Sequence, residues 1–215
     1  MLNNQRLPGS GGPFAVPEIF IRLGGLAAIL SGAAWVALLS PGNLMVSFLR
    51  LLGLLQENVF SADNIVLVAL FLGAAAAVAA LHVLQRRHYG WVGTLASFTT
   101  FASLIMLAVG MILGYGAEGP DVDLFLAFLN FLFSSGLLLS SVGFIALGIS
   151  TIRARVLPWW CGAALMAGSP PFGIGLSTFM WIAGDAALLP VGIAWILVGY
   201  AVLRAAAPPA SAASR

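Results

Sequence analysis

"NIVLVALFLGAAAAVAALHVL", residues 64–84, runs for 21 residues without an Asp, Glu, Lys or Arg, with Asp63 immediately before it and Arg86-Arg87 just after. Wound as a helix at 1.5 Å per residue it measures about 31 Å, which matches the ~30 Å hydrocarbon core of a bilayer. It lacks the apolar/polar alternation of a barrel strand and is too long to be one, and its Ala and Leu content suits helix. Five more runs have the same character, giving Ile19–Leu39, Asn64–Leu84, Trp91–Gly114, Leu124–Gly148, Trp159–Phe179 and Ala187–Ala206. The expected fold class is all-α: a polytopic transmembrane helical bundle of about six spans.

Composition agrees. Charged residues make up 7% of the 215 residues and mean hydropathy is +1.05, whereas soluble domains carry about 25% charged residues. Six spans of ~20 residues use most of the chain and leave no room for a soluble domain. We divide it into an N-terminal tail (1–18), a transmembrane domain (19–206) and a C-terminal tail (207–215). The tails are rich in Pro, Gly, Ser and Ala, with too little apolar periodicity to build a core, and are expected to be mobile. The first run is long enough to span and is followed by no small-residue cleavage site, so it reads as a retained helix and not a signal peptide.

Short basic loops stay in the cytoplasm. With the N-terminus inside, Arg6, Arg22, Arg86, Arg87, Arg153, Arg155, Arg204 and Arg215 are all cytoplasmic, and Arg50 alone is outside. The acids divide the other way: Glu57, Asp63, Glu118, Asp121, Asp123 and Asp185 fall outside and Glu18 inside. Both counts predict a multi-pass protein with both termini cytoplasmic. The net charge of +2 is then a difference between two faces and carries no nucleic-acid signal; the inner arginines would face anionic headgroups, in no cluster dense enough to argue a specific lipid site. The chain has no lysine, which excludes retinal Schiff-base chemistry, and its lone Cys161 permits no internal disulfide.

The most polar stretch inside the apolar part is "QENVFSADNIV", residues 56–66. Upstream of it, Asn43, Ser47, Arg50 and Glu57 make a narrow polar stripe on a segment otherwise Leu, Met, Val and Phe, which predicts an amphipathic helix lying along the outer interface. Ser61 is then a preferred N-cap, and Asp63 an acid that complements the positive end of the next helix. The functional alternative is a cation site, since Glu57, Asp63 and Asn64 supply hard oxygen ligands. "SADNIVLVAL" resembles the acidic Ser-x-Asp-Asn motif of TerC-type membrane proteins, a family linked to metal ions. Those proteins carry a second Asp-Asn element in another helix, and the later spans here have none. Helix capping is the preferred account, and no metal or cofactor is assigned.

Other polar residues are few. Asp185, in "WIAGDAALLP", could handle a proton or cation if it lay at bilayer depth. It is separated from Arg204 by 19 residues, about 28 Å of helix, so the two mark opposite interfaces. His82 sits one turn before Arg86 near the inner interface, and His88 follows in the loop, so the two cannot oppose each other as haem ligands. In the fourth span Asn130, Ser134, Ser141 and Gly148 share a face, and an amide at that depth needs a partner or a small-solute pocket. The third span is hydroxyl-rich at Thr94, Ser97, Thr100 and Ser103, and the first has Gly24, Ala28 and Gly32 at small-xxx-small spacing, both patterns suited to close packing and bonding across helices. Pro170-Pro171 should kink or break the fifth span. Trp91, Trp159, Trp160 and Trp181 fall at span ends, as an interfacial belt requires.

"RLGGLAAILSGAAWV" and "FIALGISTIRARVLPWWCGAALMAG" resemble a class of uncharacterised integral membrane proteins of actinobacterial type. That resemblance implies a bacterial inner membrane and a bundle of this size, and brings no activity with it. No His-Glu-x-x-His and no paired carboxylates within a span are present, and "SSG" at 134–136 lacks a histidine at its depth, so an enzyme is not expected. The expectation is a non-catalytic accessory subunit or scaffold whose partners are the bilayer and other membrane subunits or a second copy. The alternative is a transporter or channel for a small solute or ion, built on Asn130, Asp185, His82 and the Pro170-Pro171 break.

Overall fold

Lipid tails compete evenly with apolar side chains for an apolar helix, so in a bilayer the faces that meet are those that let backbones approach. In the computed structural model, which describes residues 18–38, 62–113, 122–169 and 189–206, six helices follow this rule. They are α1 (Glu18–Leu38), α2 (Ala62–Gln85), α3 (Gly90–Leu113), α4 (Val122–Ala154), α5 (Trp159–Ala167) and α6 (Leu189–Ala205). No strand occurs among the described residues. Four of these helices, α1 to α4, are long and apolar enough to cross a membrane, and α6 is a shorter apolar helix.

Each helix packs on the next, and α6 closes on α1, so the six form a ring. The α1–α6 seam is antiparallel. A Cβ built on Gly199 would lie 2.5 Å from the Gly25 carbonyl oxygen, and one on Gly192 would lie 2.8 Å from that of Gly32. Gly143 of α4 meets the Thr100 backbone of α3, and Gly148 of α4 faces Gly162 of α5. The first-span pattern Gly24, Ala28, Gly32 is used in full, Gly24 toward Ala80 of α2 and the other two toward α6. The centre is filled by apolar residues including Leu81, Leu104, Leu107, Leu147 and Val198. Edge-on aromatic pairs cross it, Phe144 on Trp195 with centroids 5.5 Å apart and Trp35 on Phe71 at 6.3 Å.

The outer surface is as apolar as the centre. On α4 the small Gly136, Ser140 and Gly143 are buried, while Phe131, Leu138 and Val142 are 62–70% exposed. Small residues at these inward positions of α4 let the neighbouring backbones approach.

The fourth run continues beyond its expected end at Gly148 to Ala154, because nothing in "ISTIRA" breaks a helix. It stops where Arg155 turns to φ 52°, and Pro158 then opens α5. α5 stops at Ala167, and Gly168 and Ser169 turn back onto the carbonyls of Ala164 and Met166. Ser169 precedes Pro170, which disfavours helical geometry there. Pro170-Pro171, the rest of the fifth expected span, the interfacial helix at 41–61 and both tails lie outside the described residues.

Candidate functional site

Alternating helix direction brings the N-termini of α1, α3 and α5 and the C-termini of α2, α4 and α6 to one end. Six exposed arginines gather there, Arg22, Arg86, Arg87, Arg153, Arg155 and Arg204, with Glu18 the one acid among the described residues of that end. Glu18 is ion-paired to Arg22 within the first turn of α1, and Arg22 also reaches the Ala206 carbonyl at 3.5 Å. The charge grouping read from the sequence is thus physically assembled.

Beneath the arginines lies a polar layer. The turn between α2 and α3 is closed by Arg86 N–H to His82 O (2.7 Å) and His88 N–H to Gln85 O (2.8 Å), and Gly90 takes φ +64°, where a side chain would be strained. The turn folds Tyr89 back over α3, its ring lying on Gly93, where any Cβ would overlap it. Tyr89 Oη stands 2.7 Å from His82 Nδ1 and 2.8 Å from Ser97 Oγ, and Ser97 Oγ donates to Gly93 O at 2.9 Å.

The carbonyl at the end of this chain orders its protons. Gly93 O accepts only, so Ser97 spends its proton there and must accept from Tyr89. Tyr89 in turn accepts from His82 Nδ1–H. Satisfying all three bonds requires the Nδ1–H form of His82, with the Nε2 lone pair left over. Tyr89 is 8% exposed, and burial pushes its phenol above the ordinary value.

A second polar pair ties α2 to α4. Thr151 Oγ1 donates to Gln85 Oε1 at 3.2 Å, and both residues are fully buried. Gln85 Nε2 has no acceptor among the described residues. A buried donor of this kind costs about 1–3 kcal/mol unless something accepts from it.

Of the sequence candidates, His82 alone joins this layer. Asp63 lies in the first turn of α2, which begins at Ala62, directly after the expected cap Ser61. Asp63 and Asn130 are placed on α2 and α4 by their backbone alone, and Glu57 and Asp185 lie outside the described residues. Among the described residues, no three His, Cys, Asp or Glu side chains are grouped to hold a metal ion.

The expected polar stripes take more local partners than their spacing suggests. Thr94, Ser97, Thr100 and Ser103 bond carbonyls of α3 itself, three or four residues back, and Ser140 and Ser141 both bond Leu137 O of α4. These hydroxyls permit close packing without bonding across to a neighbouring helix, apart from Ser97, whose second partner is in the preceding turn. On α4 the expected face runs along the edge of the buried surface: Ser134 is exposed and Ser141 half-buried, whereas Ser140 is fully buried.

Next to the end of α5, Phe144, Leu165, Gly168, Val191, Ala194 and Trp195 line a cavity of about 10 Å³. It is apolar and at the lower limit for a single water.

The chain matches no protein-family model, no curated protein and no solved structure.

Proposed function

We propose that this chain is a six-span protein of a bacterial inner membrane, of the actinobacterial type its motifs resemble, and that it acts as a non-catalytic accessory subunit or scaffold. The arginine-bearing end faces the cytoplasm, as the positive-inside rule requires. In this arrangement α6 and the region that begins with α5 supply the two crossings beyond the four helices of spanning length. The observation that carries the proposal is the ring itself: glycines seated on facing backbones, a centre filled by apolar side chains, and hydroxyls bonded to their own helices. Such an interior supplies shape and rigidity, which is what a partner subunit reads. It offers a passing solute few polar groups.

One observation favours the alternative, transport of a small solute or ion. α5 ends after nine residues, about 14 Å of helix, roughly halfway through a bilayer. It ends beside the small cavity and directly ahead of the paired prolines, and interrupted helices of this kind line substrate sites in transporters. Asn130 and Asp185 are the residues such a path would use.

The deciding experiment is native mass spectrometry of the protein gently extracted from the membranes of cells that make it. A stoichiometric second protein is the expected result. A bare monomer or homo-oligomer sinks the accessory-subunit proposal and calls for flux assays on Asn130→Ala and Asp185→Asn variants.

A further inference from the structure

We propose that the two short turns at the basic end, 86–89 and 155–158, together bind an anionic glycerophospholipid, the phosphodiester taken by Arg86, Arg87, Arg153 and Arg155. Trp91 and Trp159 flank it at headgroup level.

The charge inventory comes first. Glu18 is paired with Arg22, and residues 1–17 and 207–215 contain no Asp or Glu. Of the remaining acids, Asp63 and Asp123 lie in the first turns of α2 and α4, at the opposite end. Among the described residues the four turn arginines therefore have no side-chain carboxylate to meet at this end, and all four are exposed. Arginine presents a planar fork that grips phosphate oxygens in pairs.

The grouping is fixed from below. Gln85 and Thr151, the residues just inside Arg86 and Arg153, are hydrogen-bonded to each other at 3.2 Å, so the ends of α2 and α4 cannot drift apart without breaking a fully buried contact. The two arginine pairs thus flank one buried contact between the ends of α2 and α4, although more than 60 residues of sequence separate them. Gln85 is a positioning residue in this arrangement.

A lipid is favoured over an anionic protein or a free anion by what surrounds the cluster. Each turn delivers an exposed tryptophan at the start of the next helix, Trp91 at 77% and Trp159 at 70% exposure. Val92 and Leu95 continue that apolar surface down α3. Indole at the headgroup layer, arginine above and aliphatic surface below is the order of a phospholipid's own parts.

The test uses the full-length purified chain in nanodiscs of equal phosphatidylglycerol and phosphatidylcholine, with native mass spectrometry reading the lipids that stay bound after the disc is stripped. Wild type should retain phosphatidylglycerol selectively. R86Q/R87Q and R153Q/R155Q should each lose that selectivity by about fivefold per arginine removed, while R86K/R87K keeps part of it. Raising salt from about 0.15 M to about 1 M, which cuts the screening length from ~8 to ~3 Å, should erode the selectivity of wild type itself. That arm decides the matter if a variant fails to fold. Equal retention of the two lipids by wild type, selectivity indifferent to salt, or a folded four-arginine variant with full selectivity would each overturn the proposal. So would thermal stabilisation by inorganic phosphate equal to that by phosphatidylglycerol, which would mark a free-anion site.

Discussion

The middle of the ring and its basic end hold helices together in different ways. In the middle, contact is by backbone shape: Gly32 on Gly192 and Gly143 on the Thr100 backbone, with the hydroxyls of Thr100, Ser103 and Ser140 bonded within their own helices. At the basic end, polar side chains bond across elements, His82 to Tyr89 to Ser97 and Thr151 to Gln85. Polar groups at bilayer depth are safest when satisfied locally, since a helix then carries its own partners wherever it packs. Near the interface, where water offers an alternative partner, bonds between elements can set a turn's shape.

The contrast is broken most severely at the α1–α6 seam. Gly192→Val and Gly199→Val each place a branched side chain against a facing carbonyl that is 2.8 or 2.5 Å from the first added carbon. We expect a loss of about 3 kcal/mol or more for each, seen as a fall in thermal unfolding temperature in detergent. Gly110→Ala is the matched control. Among the described residues its new methyl would meet nothing nearer than Phe133 at 3.9 Å, so higher helix propensity should leave stability unchanged or raised by up to about 1 kcal/mol. A harmless G199V would mean that the seam is not close-packed.

Tyr89→Phe comes next. It deprives His82 Nδ1 of its acceptor while Ser97 keeps its bond to Gly93 O, and should cost about 1–2 kcal/mol. It also has a pH signature. Because burial raises the Tyr89 pKa in the folded protein, its contribution is complete below the ordinary tyrosine range and declines as pH rises from there through the raised value. Wild type should therefore lose stability on the alkaline side in a way that Y89F does not. Parallel alkaline unfolding curves would show that Tyr89 has the same pKa folded and unfolded.

Much of this architecture was legible before any coordinates, and the reasons differ by element. Runs expected at Ile19–Leu39, Asn64–Leu84 and Trp91–Gly114 form helices Glu18–Leu38, Ala62–Gln85 and Gly90–Leu113, because charge and glycine mark where lipid ends. The end of α4 was missed by six residues: hydropathy falls after Gly148, yet a helix stops at a backbone breaker, here Arg155. The gathering of arginines at one end followed from span alternation. Which glycines face each other did not, since Gly25 opposite Gly199 is a register across 174 positions that no local period encodes. Tyr89 does not stand out in the sequence for a related reason. The clue was "YGWVG", where Gly90 permits the reversed turn and Gly93 leaves room for the ring, but two glycines three positions apart have many commoner explanations.

The buried amide of Gln85 gives a smaller and more discriminating effect. Gln85→Leu removes the unpartnered Nε2 together with the Oε1 that Thr151 uses, and Thr151 in a helix can turn its hydroxyl to a carbonyl one turn back. The expected change is within about 1 kcal/mol of zero, with either sign acceptable. Thr151→Val should be worse, by about 1–2 kcal/mol, because it leaves the whole amide buried without a partner. The order T151V worse than Q85L is the measurable claim. The reverse order would mean that Nε2 has an acceptor, an ordered water or a lipid oxygen, and would draw Gln85 from a positioning role into the anion site itself.

Ser140→Ala should do least, although Ser140 is fully buried on the inner face of α4. Its hydroxyl donates 2.8 Å to Leu137 O of the same helix, a carbonyl that Ser141 also uses at 3.0 Å and that the helix ladder engages in any case. Deleting it strands no other side chain, and alanine is the better helix former, so the two effects nearly cancel at about 0.5 kcal/mol or less. Set beside Y89F, which breaks a bond between elements, S140A isolates what a hydrogen bond contributes when it stays inside one helix. If S140A cost as much as Y89F, Ser140 would have to bond a neighbouring helix too, and the division between a ring middle held by shape and an end held by polar contacts would collapse.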